Sequence, residues 1–173
     1  MRTALTMAAA AALVAGCGSK EPETPQGSEQ VIAAINPGEY EVTTLVQELR
    51  SVDHTTPATK SKASAEGDDP VTHRACIAPD GTVEPSMFSE AGDECRIDNA
   101  YVRNGRMTMQ LACTRPGAPG QVMQSVNGQF TADAFEATVT TATYLTGAGD
   151  YSMTRKMTAK RVGDCTPKED KKA

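Results

Sequence analysis

The chain has 173 residues, of which 22 are acidic and 17 basic, and its formal net charge is −5. We do not expect an acidic chain of this kind to bind nucleic acid, because phosphate backbones attract clustered basic side chains. Four Tyr, three Phe and no Trp provide few large side chains for a core, so we expect one small domain that depends on cross-links.

The N-terminus has the pattern of a secretory signal. Arg2 precedes an apolar run, residues 4–15, which is too short to span a membrane. The run ends in Leu-Val-Ala-Gly before Cys17, which resembles the site where lipoprotein signal peptidase cleaves. We predict a signal peptide over residues 1–16 and a lipid anchor on Cys17. The alternative is an ordinary cleavage site that leaves Cys17 as a free thiol.

A polar tether follows the predicted anchor. Residues 18–30 have no apolar side chain and are rich in Gly, Pro, Ser and Glu, a composition that cannot repay the entropy lost on folding. We therefore predict a disordered, lipidated tether over residues 17–36. Apolar and polar residues begin to alternate at Tyr40, which indicates a half-buried strand. A second strand begins near Val71.

One or two helical turns are expected over residues 85–91, with Phe88 pointing inward. Beyond them the chain again has the alternation of strands, over residues 121–130, 135–145 and 151–162. Short turns without long helices favour an all-β fold, an antiparallel meander of about seven strands curled into an open or closed barrel. We expect this domain to cover residues 37–165 and to be followed by a disordered tail, residues 166–173.

Asn104-Gly105 lies between two alternating runs and predicts a β-hairpin. A two-residue loop would put Cys95 and Cys113 on opposite faces, because each step along a strand reverses the side chain. A three-residue loop that includes Arg103 puts both cysteines on one face, and we predict this loop. It pairs Tyr101 with Met107, Ile97 with Leu111 and Cys95 with Cys113.

Four cysteines remain besides Cys17, an even number that suits an oxidising compartment. Directly opposed strand residues have the separation that a disulfide needs, so we predict a bond between Cys95 and Cys113. Cys76 and Cys165 then pair by elimination. Such bonds contribute about 3 to 4.5 kcal/mol each to a domain of this size.

Several segments are familiar as a set: Pro37-Gly38-Glu39-Tyr40, residues 75–79 (Ala-Cys-Ile-Ala-Pro), Cys95, Cys113 and residues 153–165, which end in Arg-Val-Gly-Asp-Cys. Together they resemble the domain-of-unknown-function family numbered 3617, over most of residues 37–165. The resemblance implies a small exported protein, often with a lipoprotein signal, and it implies no activity. Where the family usually has a Trp or another bulky apolar residue, this chain has Tyr40, which bears on core packing.

The sequence has no recognisable catalytic or metal-binding motif. The two histidines, His54 and His73, have no catalytic partner at a known spacing. His73 and Cys76 lack a second ligand pair with zinc spacing. We therefore predict a protein that is not an enzyme and has no metal site and no cofactor.

The methionines are expected on inner strand faces. Their side chains could there line a site for an apolar ligand or fill an irregular core, and their thioethers could bind cuprous ion. The candidate lining of an apolar ligand site is Met107, Met109, Met123, Met153, Met157 and Tyr101. The last strand is locally basic, and we expect its cations on a solvated outer face that opposes aggregation. They are Arg155, Lys156, Lys160 and Arg161.

These features predict a lipoprotein of the bacterial cell envelope that acts as a non-catalytic binding or assembly module. The alternative is a carrier of an apolar ligand, such as an envelope lipid, in a Met-lined interior. The absence of Asp after Cys17 resembles the pattern of proteins sent to the outer membrane, facing the periplasm. An apolar cavity above ~300 Å³ would favour the carrier. An exposed apolar patch would instead favour a protein partner. A cleft that brings Asp, Glu and His together would favour an enzyme.

Overall fold

The computed structural model describes residues 34–61 and 69–165. The predicted signal peptide, Cys17, most of the predicted tether and the tail from residue 166 lie outside these ranges. The predicted fold class is confirmed, because seven antiparallel strands form one curled, open sheet. None of the helical structure in the described part of the chain is long and apolar enough to cross a membrane.

The strands are β1 (Gly38–Ser51), β2 (Val71–Ile77), β3 (Glu94–Arg103), β4 (Arg106–Arg115), β5 (Ala118–Phe130), β6 (Ala134–Leu145) and β7 (Tyr151–Gly163). Their order in the sheet is β2-β1-β7-β6-β5-β4-β3. Strands β3 to β7 thus form the predicted meander. The first strand then lies beside the last, with Glu39 opposite Gly163.

One face of the curled sheet forms the core. Alternation along β7 buries Met153, Met157 and Ala159, while Lys156 and Lys160 are exposed. Residues Pro85–Met87 form a short 3-10 helix, and Phe88, at its end, is fully buried, as predicted. Burying such a side chain contributes about 1.5–3 kcal/mol. The short helix therefore fills the concave side of the sheet.

The β3–β4 hairpin has a two-residue turn, so the predicted three-residue loop is wrong. Asn104 and Gly105 have φ values of 54° and 71°, and positive values at both positions are what a type I′ turn requires. Arg103 consequently lies opposite Arg106. The twist of this turn matches that of the flanking strands, which explains why Asn-Gly prefers it to a longer loop.

A β-bulge lets the cysteines face each other in spite of this turn. The register of β3 against β4 shifts between Ile97 and Asn99, so the extra residue is placed within the strand instead of the loop. Below the shift the predicted pairs of Cys95 with Cys113 and Ile97 with Leu111 are present. Above it the predicted pair of Tyr101 and Met107 is wrong, and Tyr101 lies opposite Thr108.

Two disulfides hold the sheet together, as expected. Cys95 is bonded to Cys113 within the hairpin, with a sequence separation of 18 residues. Cys76 on β2 is bonded to Cys165, just beyond β7, with a separation of 89 residues. Loop-closure entropy assigns the two bonds about 3 and 4.6 kcal/mol. The second bond links β2, which lies at an edge of the sheet, to the C-terminal end of β7.

Candidate functional site

The concave face has a group of buried polar side chains among its apolar residues. Five residues form this interior polar cluster: Glu90, Asp93, Arg115, Tyr151 and Arg155. Strands β4 and β7 supply the two arginines and the tyrosine, and the loop after the 3-10 helix supplies the two carboxylates. Buried polar groups are costly unless they are hydrogen-bonded, so each partner matters.

Arg115 is paired on several sides. Its Nε and Nη2 atoms donate to the two carboxylate oxygens of Asp93, each at 2.7 Å. Nη2 also donates to the Tyr151 hydroxyl at 2.9 Å, and Nη1 donates to the carbonyl oxygen of Ala58. The Asp93 carboxylate raises the pKa of Arg115 above its usual value, and this outweighs burial. Arg115 and Asp93 therefore form a two-point ion pair in the interior.

The Glu90 carboxylate is also fully engaged. Oε1 accepts a hydrogen bond from the Tyr151 hydroxyl, and Oε2 accepts from the Thr59 hydroxyl at 2.6 Å and from the backbone N–H of Lys60 at 3.3 Å. Burial alone would raise the pKa of Glu90, but the Thr59 and Tyr151 hydrogen bonds and the charge of Arg115 lower it overall. Burial, reinforced by the Glu90 charge, raises the pKa of Tyr151. The tyrosine therefore stays a donor to an ionised glutamate.

Arg155 differs from Arg115 because no carboxylate is paired with it within the described residues. Its side chain is buried, with 2% of the residue exposed, so the predicted position on a solvated outer face is wrong. Nη2 donates to the carbonyl oxygen of Phe88 at 2.6 Å, while Nε is buried without a partner. Burial lowers the pKa of Arg155. A buried cation with an open donor is the least satisfied group of the cluster.

A pocket of about 630 Å³ lies beside Arg155. Strands β1, β2 and β7 and the loop after the 3-10 helix line it, with Val46, Val71, His73, Glu90, Asp93 and Arg155 among the lining residues. Val46 lies directly opposite Arg155 on the neighbouring strand. His73 contributes a second buried atom without a partner, Nε2, and burial lowers its pKa, so the ring is neutral near pH 7.

The pocket brings together His73, Glu90 and Asp93, the combination of residue types that would indicate an enzyme. The geometry gives the two carboxylates other roles. The Asp93 carboxylate is bound by Arg115 and that of Glu90 by Tyr151 and Thr59, so neither is a free base. General acid–base catalysis needs a group that can exchange its proton with a substrate. The two carboxylates are therefore not available as proton acceptors in this arrangement.

The methionines predicted to line an apolar ligand site fall into two groups. Four of them are buried in the core: Met107, Met109, Met153 and Met157. Met123 is 36% exposed and Tyr101 44% exposed, so the expectation that these two face the interior is wrong. The bulge in β3 reverses the face of Tyr101, and Met123 alternates with the buried Val122 and Gln124.

None of these methionines lines the pocket beside Arg155 or a second one, of about 580 Å³, at the ends of β5 and β6. Met153 is still near the first pocket, because it packs with Val46 and Tyr151 in a small apolar cluster. Within residues 34–61 and 69–165, no group of three or more His, Cys, Asp or Glu side chains is arranged to hold a metal ion.

Sequence reasoning missed the residues of the interior polar cluster. A usable signal existed for Arg155, which lies two residues from both Met153 and Met157 and therefore shares their face. The same alternation places Arg115 on the face of Cys113. Glu90 lies in a loop, where no periodicity indicates which side chain turns inward.

The chain matches the model of a protein family. A family model described as a protein of unknown function (DUF3617) matches residues 35–165. No curated protein and no solved structure matches the chain. The matched range includes all seven strands, both disulfides and the interior polar cluster.

Proposed function

Because the chain belongs to the DUF3617 family of proteins of unknown function, we propose its function from its own site: it is a non-catalytic binding module of the bacterial cell envelope. The pocket beside Arg155 is its ligand site. The single observation behind this proposal is a cavity of about 630 Å³ next to a buried guanidinium with an open donor. Ligand pockets typically have volumes of ~300–1,000 Å³ and a few converging polar groups.

The unused hydrogen-bonding capacity supports binding over a purely structural role for the cluster. Nε of Arg155 and Nε2 of His73 are buried without partners, and both residues line the pocket. A buried polar atom left unpaired costs about 1–3 kcal/mol. A bound molecule that forms hydrogen bonds with these two atoms recovers that cost. The two unpaired atoms therefore support a binding role for the pocket.

The envelope location is part of the proposal. The protein would be exported by the signal over residues 1–16, anchored to the outer membrane by lipid on Cys17 and held facing the periplasm by its tether. Two disulfides support an oxidising compartment, since cytosolic thiols are kept reduced. The lipid-anchor sequence before Cys17 provides the route. Membrane contact is then through the anchor, and nucleic acid is not a partner.

Two related roles differ in what the module binds. A carrier of an apolar ligand is favoured by Val46 and Val71 in the pocket wall. An assembly role would need an envelope protein as partner. Six strands have one exposed large apolar side chain each, so none of the described strands carries an exposed apolar stripe: Leu45, Val71, Tyr101, Met123, Tyr144 and Val162. The pocket therefore favours a small molecule over a protein partner.

Native mass spectrometry of the full protein, extracted gently from its own membranes, tests the proposal. We expect additional mass beyond the polypeptide and its anchor, released when the protein is unfolded. A protein that is repeatedly recovered without any retained molecule would count against a small-molecule site and would favour the assembly role.

A further inference from the structure

We propose that the pocket selects ligands with an anionic group, a carboxylate or a phosphate, attached to an apolar body, and that Arg155 binds the anionic group. This inference rests on the proposed binding function and specifies its ligand class. Four observations support it: the unpartnered Nε donor of Arg155, the engaged state of the neighbouring carboxylates, the balanced charges at the rim and the apolar wall formed by β1 and β2.

Arg155 is a buried cation with an open donor. The side chain is buried, makes one hydrogen bond to the Phe88 carbonyl and leaves Nε unpaired. A guanidinium offers five N–H donors in a fixed plane that matches the oxygen pair of a carboxylate or phosphate. Within the described residues no carboxylate occupies that position. An anion in the pocket would supply the missing partner.

The carboxylates around the pocket have little acceptor capacity left with which to bind a cationic ligand. Asp93 uses both oxygens on Arg115, and Glu90 accepts hydrogen bonds from Tyr151, Thr59 and the backbone of Lys60. Their acceptor capacity is thus largely used within the protein. The open atom of Arg155, in contrast, is a donor, and a donor recognises an anion.

Charges at the exposed rim are balanced. Lys60 and Asp69 both line the pocket and are both exposed, so solvent screens their charges and the two offset each other. Neither side chain sets the sign of the charge that is preferred deeper in the pocket. That preference depends on Arg155, because electrostatic interactions are stronger away from water.

The apolar wall specifies the rest of the ligand. Val46 lies opposite Arg155 and is backed by Tyr151 and Met153. Val71 also lines the pocket and is largely exposed, so it lies nearer to solvent than the buried Arg155. A ligand would therefore bind with its anionic group inward and its apolar body along the two valines.

Titration of the full protein with three probes tests this orientation and charge preference. Octanoate, octyl phosphate and octan-1-ol share one apolar chain and differ in the head group. With native mass spectrometry as readout, we expect at least one of the two anions to bind about tenfold or more tightly than the alcohol, since charge-assisted hydrogen bonds are the strong ones. Whichever anion binds more tightly identifies a carboxylate or a phosphate as the natural group.

Three variants then assign the preference to Arg155. In Arg155→Gln the preference for anions should fall about tenfold, whereas Lys156→Gln, which removes the same charge from the exposed face of the same strand, should keep it. Arg155→Lys retains the charge and should retain part of the preference. If Arg155→Gln does not fold, the comparison of probes on the unchanged protein and on Arg155→Lys still tests whether Arg155 determines the preference for anions.

The outcomes separate the two proposals. Equal binding of octan-1-ol and both anions would overturn the anionic ligand class and leave the binding function in place. An anion preference that survives Arg155→Gln would overturn the role of Arg155. A protein that binds none of the probes and retains no molecule from its membranes would overturn both proposals.

Discussion

Tyr151 and Glu90 are 61 residues apart in the chain and share a hydrogen bond in the interior of the protein, in which the tyrosine hydroxyl donates to the carboxylate. The same hydroxyl accepts a hydrogen bond from Nη2 of Arg115. One oxygen atom therefore connects β4, β7 and the loop after the 3-10 helix. Three elements that are separate in sequence meet at this atom, which makes it a sensitive position for stability.

Tyr151→Phe removes this hydroxyl and leaves Glu90 and Arg115 each without one partner. We expect the free energy of unfolding to fall by about 1–3 kcal/mol, the usual cost of leaving buried polar groups unpaired. Urea denaturation followed by circular dichroism measures it. The matched control is Tyr144→Phe, at a residue that is 64% exposed. Equal effects of the two substitutions would show that the hydroxyl of Tyr151 is not engaged.

Gly105→Ala tests the turn between β3 and β4. Gly105 has a φ of 71°, and a side chain in this left-handed region costs roughly 1–2 kcal/mol. An added Cβ would meet only ordinary contact at that position, with the Phe130 carbonyl oxygen at 3.5 Å, so the cost is conformational. Gly163→Ala is the control, because an added Cβ there meets nothing. The same urea experiment should rank the glycines in this order, and the reverse order would contradict the two-residue turn.

The two disulfides should differ in their effect on stability. Replacing Cys76 and Cys165 with serine should lower the free energy of unfolding by about 4.6 kcal/mol, against about 3 kcal/mol for the Cys95 and Cys113 pair, because the longer closed loop restricts the unfolded chain more. Thermal and urea unfolding of both double variants give the comparison. A greater loss from the hairpin pair would mean that strain or residual structure outweighs loop length.

Asp53 should make the protein sensitive to acid. Its carboxylate accepts hydrogen bonds from the hydroxyl and N–H of Thr55 and from the N–H groups of Gly149 and Asp150. These bonds, with that from the Thr55 hydroxyl foremost, hold the pKa of Asp53 far below its usual value.

A lowered pKa in the folded state stabilises the protein above the unfolded value of about 3.9, and this contribution is lost as the pH falls below it. Asp53→Asn should therefore lower the melting temperature at pH 7 and weaken its dependence on pH below 4. The exposed Asp69 provides the control, as Asp69→Asn should leave the acid dependence unchanged. Melting curves from pH 7 to pH 2 decide between these outcomes.

Cys17→Ser tests the proposed anchor. We expect the unchanged protein in the membrane fraction, with a mass that lacks residues 1–16 and includes acyl chains, and the variant without acyl chains and outside that fraction. Ser19→Ala, which keeps the cysteine, should behave like the unchanged protein. Recovery of the unchanged protein without attached lipid would show an ordinary secretory cleavage instead.

The sheet was predictable because its strands alternate and its turns have turn residues. Asn104-Gly105 located the β3–β4 hairpin, but the position of the extra residue depended on a bulge near Asp98. A bulge leaves no pattern in a polar, exposed strand, where neither face is strongly specified. The cysteine pairing was still correct, since both placements of the extra residue put Cys95 opposite Cys113.

The candidate site was less predictable. Four cations in seven residues of β7 had the composition of a solvated strand, and that interpretation applies to Lys156 and Lys160. Arg155 alternates with buried residues, yet a buried arginine needs partners that only the folded chain provides, here the Phe88 carbonyl. Tertiary contacts decide such a position, and they arise from a loop whose sequence gives no periodic signal.

The pairing of Glu39 with Gly163 has a practical consequence. Neighbouring strands are about 4.8 Å apart, so the chain enters the sheet and leaves it at almost the same point. A circularly permuted gene, with a short linker between these ends and new termini in the turn near Gly147, should preserve every strand pairing. For the same reason a reporter fused behind Cys165 would emerge next to the start of β1.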